Sequence, residues 1–249
     1  MCILFLYVAN NPSPDSYKVV LAVNRDEVYK RPTQVASFWG TSPDVLGGRD
    51  MQSGREGGTW LAVSESGRIG ALLNVLQSAE SLSNASQRRG RGFLVNDFLL
   101  NPSVDAVQYI ATFRHVYGIG NSFIDIPFQK VIHGKEAFTR VVSDNNSLDK
   151  KESLINGILE ILKNQEKFHP DPQMYKQAAD QPETFLHGIS SRFIKLPGYG
   201  TRTHTIILVD FSNNVFYQEI TLKEPINEID QEWMSSSFEF KINENNNSH

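Results

Sequence analysis

Cys2-Ile3-Leu4-Phe5-Leu6-Tyr7-Val8-Ala9 is rich in β-branched and aromatic residues and stops at Asn10-Asn11-Pro12-Ser13-Pro14-Asp15, a cluster of turn formers. Lys18-Val19-Val20-Leu21-Ala22-Val23 then resumes the same character. This reads as strand, turn and strand, most simply an antiparallel hairpin with a medium-length loop. Both strands are continuously apolar rather than alternating, so the sheet they enter is covered on both faces. Asn24-Arg25-Asp26-Glu27 follows the second strand, and hairpin pairing returns this charged tetrad to the start of the first strand, close to Cys2.

Further strands are expected at Thr59 to Val63 and Ile69 to Asn74, joined through Glu65-Ser66-Gly67-Arg68, which has the composition of a hairpin turn. Thr205 to Val209 and Val215 to Ile220 flank Asp210-Phe211-Ser212-Asn213-Asn214 as another pair, and Phe238 to Ile242 alternates like an edge strand. Helical signals lie between. Gly92 to Leu100 is ended by Asn101-Pro102, and Ser103 can cap the start of a second helix. From Ser147 to Lys167, Leu148, Leu154, Ile155, Ile158, Leu159 and Leu162 recur mostly at spacings of three and four, an amphipathic helix. Strands at both ends with helices between predict α+β or layered α/β architecture in one domain, residues 1–242, with Asn243 to His249 as a disordered polar tail.

The chain has 249 residues, 40% hydrophobic and 21% charged, with a formal net charge of -4. Such a charge offers no field to a polyanion, so the composition speaks against nucleic-acid binding. The longest apolar runs, Ile3 to Ala9 and Ile206 to Val209, fall far short of the roughly 20 residues that span a bilayer, so no transmembrane segment is expected. The first of them has no basic segment ahead of it, unlike a secretory signal. One cysteine excludes an intramolecular disulfide and a four-thiolate zinc site, and points to the cytosol or an organelle matrix. The six histidines form no metal-ligand spacing.

Cys2 follows Met1, and its small side chain permits removal of that methionine. An N-terminal cysteine joins a nucleophilic thiol to an α-amino group with an ordinary pKa of about 7.7 to 8, able to take the thiol proton near neutral pH. The plainer reading makes Cys2 a small buried hydrophobe. Arg25 beside it would favour thiolate, and an adjacent carboxylate would orient the arginine or hold the α-ammonium; read alone, the tetrad is a charged turn at a strand end. Gln87-Arg88-Arg89-Gly90-Arg91 reads as a solvated loop or a contact for phosphate or lipid head groups. Trp60 and Trp39 read as core, and His204 as structural.

Met1-Cys2-Ile3, Leu21-Ala22-Val23-Asn24-Arg25-Asp26-Glu27, Arg31-Pro32, Phe38-Trp39, Gly48-Arg49-Asp50 and Gly57-Gly58-Thr59-Trp60-Leu61 stand in an order that resembles the Asn-Arg-Asp-Glu family, in its eukaryotic transport and Golgi organisation 2 branch. Ala71-Leu72-Leu73-Asn74, Arg89-Gly90-Arg91-Gly92, Tyr117-Gly118-Ile119-Gly120-Asn121 and Pro197-Gly198-Tyr199-Gly200-Thr201-Arg202-Thr203 continue that order over nearly the whole chain. The resemblance implies an N-terminal nucleophile hydrolase fold, a four-layer αββα sandwich shared with cholylglycine hydrolases and penicillin V acylases. It also implies a constellation in which Cys2 attacks a carbonyl, Arg25 and Asp26 stand beside it, Asn74 and Asn121 supply amide donors to an oxyanion, and Arg202 closes the site. Either acid of the tetrad can correspond to the amidases' aspartate. One departure stands out: Arg114-His115-Val116-Tyr117 joins directly what the family separates by a pair of strands, so two core strands are expected to be absent.

Fold alone does not carry activity. What the resemblance implies in the cell is Golgi organisation, secretory transport, lipid or acyl-CoA homeostasis and haem mobilisation, in cytoplasm and mitochondrion and with Golgi association. No cofactor is required on this reading; the small-molecule partner is haem, as a transported ligand, or an acyl-CoA-like compound, with peripheral membrane contact. The competing expectation is a cysteine amidase or thioesterase with Cys2 as nucleophile, and a scaffold in secretory traffic is a third.

Overall fold

The computed structural model describes residues 1–78, 91–101 and 115–243. Within them the expected hairpin is formed by β1 (Ile3–Val8) and β2 (Tyr17–Val28), with Leu4 opposite Val23 and Leu6 opposite Leu21. Next come β3 (Thr33–Phe38), β4 (Val45–Asp50), β5 (Leu61–Ser64), β6 (Ile69–Ala71) and β7 (His115–Ile119). The C-terminal strands are β8 (Lys195–Leu196), β9 (Tyr199–Asp210), β10 (Asn214–Leu222) and β11 (Trp233–Lys241). The larger sheet runs β11-β10-β9-β2-β1-β7, with β8 pairing β9 off that path, and the smaller runs β3-β4-β5-β6. The pairings are antiparallel.

Five helices are described: α1 (Gly92–Leu100), α2 (Gln129–Asn145), α3 (Lys151–Leu162), α4 (Pro172–Gln177) and α5 (Glu183–Gly188). Alternation along the hairpin sends Ile3, Phe5, Val20 and Ala22 to one face, where they pack with Val131, Phe138 and Val142 of α2 and Leu154 and Ile158 of α3. Leu4, Leu21 and Val23 go to the other face and meet Ala36, Leu46, Leu61 and Val63 of the smaller sheet. This double burial is the physical reason the two strands read as unbroken apolar runs. On the outer side of the smaller sheet, Val95 and Leu99 of α1 pack on Val45 and Ala62. The architecture is α+β, with antiparallel sheets facing each other across a shared apolar core.

Several sequence expectations are corrected in extent. The helix expected over Ser147 to Lys167 is a 3-10 turn, Leu148–Lys150, followed by α3, which stops at Leu162; beyond it the Asn164 side chain accepts the Glu166 N–H and its carbonyl accepts the Phe193 N–H. Thr59 and Trp60 lie outside β5 because the Thr59 hydroxyl caps the Gly48 carbonyl at 2.7 Å, and β6 ends at Ala71, which leaves Asn74 on irregular backbone. The helix start at Ser103, the tail 244–249 and basic residues 87–90 lie outside the described residues.

β3, β4 and α2 are among the elements that carried no expectation. β3 and β4 are short, and β4 carries Gly47 and Gly48; a Cβ at Gly47 would stand 2.5 Å from that of Ala62, so the sheet closes only with glycine there. In α2 the buried stripe is Lys130, Val131, Gly134, Phe138 and Val142. Its gap at Gly134 exists because a Cβ would fall 2.4 Å from the Phe5 ring, which itself stacks on Phe138 at 5.6 Å.

Candidate functional site

The β1–β2 pairing that places Ile3 opposite Asn24 sets Cys2 beside Arg25. Period-two alternation then aims Arg25, like Leu21 and Val23, between the sheets. There its guanidinium carbon sits 3.9 Å from the centroid of the Trp60 ring, and Nη1 donates to the Thr33 hydroxyl at 3.4 Å. Asn24 points the other way. Its amide nitrogen donates to the carbonyls of Leu162 and Arg192 at 2.8 and 2.9 Å, tying the end of α3 to the sheet.

A β-bulge falls at this level. Arg25 pairs with Thr203 and Asp26 with Thr201, so Arg202 is an extra residue in β9. The bulge brings Asp26 to the Cys2 end of the hairpin: its Oδ1 accepts from the Thr201 hydroxyl at 2.6 Å, and its Oδ2, which has no hydrogen-bond partner among the described residues, lies 3.9 Å from the Met1 amino group. The Cys2 thiol points its Sγ at the Asp26 carbonyl across 3.9 Å. Cys2, Arg25, Asp26, Trp60 and Asn74 line one cavity of about 110 Å³. Its rim includes Glu27, Arg31 and Asp50, paired among themselves by Arg31 at 2.6 Å to Asp50 and 3.2 Å to Glu27, and by Arg55 and Arg91, which form no ion pair among the described residues.

Burial dominates the electrostatics. It pushes the Cys2 thiol up, outweighing the opposing pull of the N-terminal ammonium and Arg25, so the thiol is protonated at neutral pH while Met1 is in place. The thiolate-favouring influence expected of Arg25 is present in sign and loses in magnitude. Burial also lowers Arg25 to about 10, which leaves it cationic at neutral pH, and raises Asp26 against the pull of the ammonium. Lys130 of α2, which sequence reasoning missed, belongs to the same charge network. It is wholly buried, donates to the Ile189 and Ser191 carbonyls at 2.8 and 3.1 Å, and is lowered by burial to about 8. Its one sequence signal is a lysine set inside an apolar helical stripe.

Two of the six expected site residues do not line the cavity. Arg202 is fully buried but donates to the Val28 and Arg31 carbonyls at 3.1 and 2.6 Å and pairs with Glu224, so it braces the turn after β2. Asn121 lies just past β7, level with Cys2, and donates its amide to the Asn74 carbonyl at 2.5 Å. His204 lies apart from the cavity. Its ring stacks between Phe193 and Trp233, Nδ1 meets the Asn24 amide oxygen at 2.6 Å, and burial lowers it to about 3, so it is a neutral structural residue. No helix among the described residues is long and apolar enough to cross a membrane.

The sequence pattern of a family described as Transport and Golgi organisation 2 matches residues 1–115 and 107–224. The chain belongs to that family. The Transport and Golgi organization protein 2 homolog of Homo sapiens is 32% identical over 283 residues, covering 97% of this chain and 99% of the human one. The Mus musculus homolog is 31% identical with the same coverage, and the Drosophila melanogaster protein of that name is 32% identical over 271 residues, covering 89% of this chain and 92% of its own. The two matched stretches overlap at residues 107–115.

Proposed function

We propose that this chain serves transport and Golgi organisation, as the names of its relatives state of them, by handling a small acyl compound at Cys2 as an N-terminal nucleophile hydrolase. The observation that carries this reading is the convergence of Cys2, Arg25, Asp26 and Asn74 on one cavity from three separate parts of the chain. Two facing sheets with helices on their outer faces agree with the αββα architecture of such enzymes. Residue roles follow from the chemistry. With Met1 removed, the Cys2 α-amine is the only base attached to the nucleophile, and it takes the proton of a thiol that burial otherwise keeps neutral. Asp26 holds the resulting ammonium. The thiolate adds to an acyl carbonyl, Asn74 and the Arg25 cation stabilise the oxyanion, and the ammonium returns its proton to the leaving amine or thiol. Water then releases the acid.

Cavity size restricts the substrate. About 110 Å³ lies well below the roughly 300–1,000 Å³ that enclose a drug-sized ligand, so it takes an acyl end and leaves the rest of an amide or thioester at the mouth, beside Arg55 and Arg91. Binding without turnover is the second reading, favoured by the protonated thiol; haem or an acyl-CoA-like ligand would then lie across the open mouth, with lipid homeostasis and haem mobilisation in cytoplasm and mitochondrion as the cellular roles. Incubation with acyl thioesters and N-acyl amides separates the two. The hydrolase reading expects product release that Cys2→Ala abolishes, whereas saturable binding unaffected by Cys2→Ala, with no product, would overturn it.

A further inference from the structure

Asn74 reaches the cavity from irregular backbone three residues beyond β6, so the sheets do not hold it. A group from elsewhere does. Asn121 donates its amide to the Asn74 carbonyl at 2.5 Å and accepts the Leu76 N–H on its own carbonyl at 2.7 Å. Both ends of that clasp meet one side chain: Gln177, the last residue of α4, donates Nε2 to the Leu76 carbonyl at 3.0 Å and to the Asn121 carbonyl at 3.3 Å. Its Oε1 in turn accepts from the Ser122 hydroxyl at 2.6 Å and from Gln173 Nε2 at 3.0 Å. Helix α4 is anchored through Asp171, whose carboxylate accepts the N–H groups of Gln173 and Met174 and, at 2.7 Å, that of Gln129 at the start of α2.

We infer that Gln177 is a positioning residue that fixes the Asn74 to Leu76 segment against Asn121, and that Asn121 is a relay in this chain of hydrogen bonds rather than a second oxyanion donor. This rests on the hydrolase reading above. A donor stabilises developing charge only if it is held in place before the reaction, because reorganisation during the reaction consumes the gain. Gln177 and Asn121 are 56 residues apart in sequence and meet only in the folded chain.

The test compares two reactions at Cys2 by intact mass in the Met1-processed protein. With p-nitrophenyl acetate, the Sγ–C bond forms, p-nitrophenolate leaves, the thiol proton passes to the α-amine, and the path crosses a tetrahedral oxyanion. With iodoacetamide, Sγ displaces iodide and no oxyanion forms. Gln177→Met, which keeps size but removes the donor, is expected to slow acylation by about 10- to 100-fold, less than the roughly 100- to 1,000-fold seen when an oxyanion donor is itself lost, and to leave alkylation nearly unchanged. Equal changes in both reactions, or no change in acylation while the parent acylates rapidly, would overturn the inference. Acylation of the parent no faster than that of a cysteine peptide would instead remove the hydrolase reading, and this inference with it. If Gln177→Met lacks a cooperative unfolding transition, Ser122→Ala, which removes the bond to Gln177 Oε1 along with those to the Ile126 carbonyl and Gln173 Nε2 while leaving the Gln177 donor in place, should shift the acylation-to-alkylation ratio in the same direction by a smaller factor; an unchanged ratio there also contradicts the inference.

Discussion

The two ends of the β1–β2 hairpin use the same pairing for opposite purposes. Toward the turn, Phe5, Val20 and Leu21 are buried with nothing polar to satisfy. At the other end the hairpin buries a guanidinium and a carboxylate beside a half-buried thiol, and one carboxylate oxygen lacks a hydrogen bond among the described residues. Burying such groups costs stability, and the apolar end supplies it. The difference teaches that the Cys2 end is arranged for something other than holding the fold.

The largest expected effect lies at the apolar end. Phe5→Ala should cost about 3–5 kcal/mol in denaturant unfolding, because it opens a void against Phe138 and Gly134. A cost below about 1 kcal/mol would break the comparison, since the site would then lack its support. Next is the contrast between two buried arginines. Arg202→Met strands the Val28 and Arg31 carbonyls and should cost about 3 kcal/mol, as loss of one partner of a buried charged network does.

This contrast also shows what was legible in the sequence. Hairpin pairing set the charged tetrad beside Cys2, since continuous apolar strands bounded by turn formers leave one register, and the bulge then brings Asp26 to the Cys2 end. Arg202 was misplaced because a one-residue bulge against Arg25 and Asp26 changes which way a side chain faces, and pairing patterns do not show it. β4 was hidden by the glycines that let it pack, and α2 by Gly134, the gap that Phe5 requires. The one signal at Lys130 is a lysine inside an apolar helical stripe, and nothing local marks Gln177 as a clasp, because Leu76 and Asn121 lie far away in sequence. The β9–β10 pair and α1 were legible, each being a short apolar run between clear stops.

A pH series sharpens the comparison on the helix side of the same end. His204 is held neutral, with its pKa lowered to about 3 against about 6.5 when unfolded. The unfolded chain therefore binds the extra proton first, and stability is full above pH of about 6.5 and falls with acidification toward pH of about 3. Between pH values of about 6.5 and 5 the loss should be about 2 kcal/mol, and His204→Phe should flatten that slope. An unchanged slope in the variant would show that His204 titrates normally. Asp26 and Glu219, whose carboxyls burial raises, act in the opposite sense in the carboxylate range.

The smallest effects on stability belong to the cavity itself. Arg25→Met should change unfolding by under about 1 kcal/mol, because methionine can fill the space over Trp60, yet slow Cys2 alkylation by roughly tenfold through loss of the nearby cation. A stability cost as large as that of Arg202→Met would make Arg25 a structural arginine.

Intact mass of the purified protein before and after an acyl ester, scored against Cys2→Ala, tests the central claim most directly. The account predicts a species lacking Met1 that gains one acyl group rapidly and only through Cys2. Retained Met1, or acylation no faster than that of a free cysteine, would contradict it.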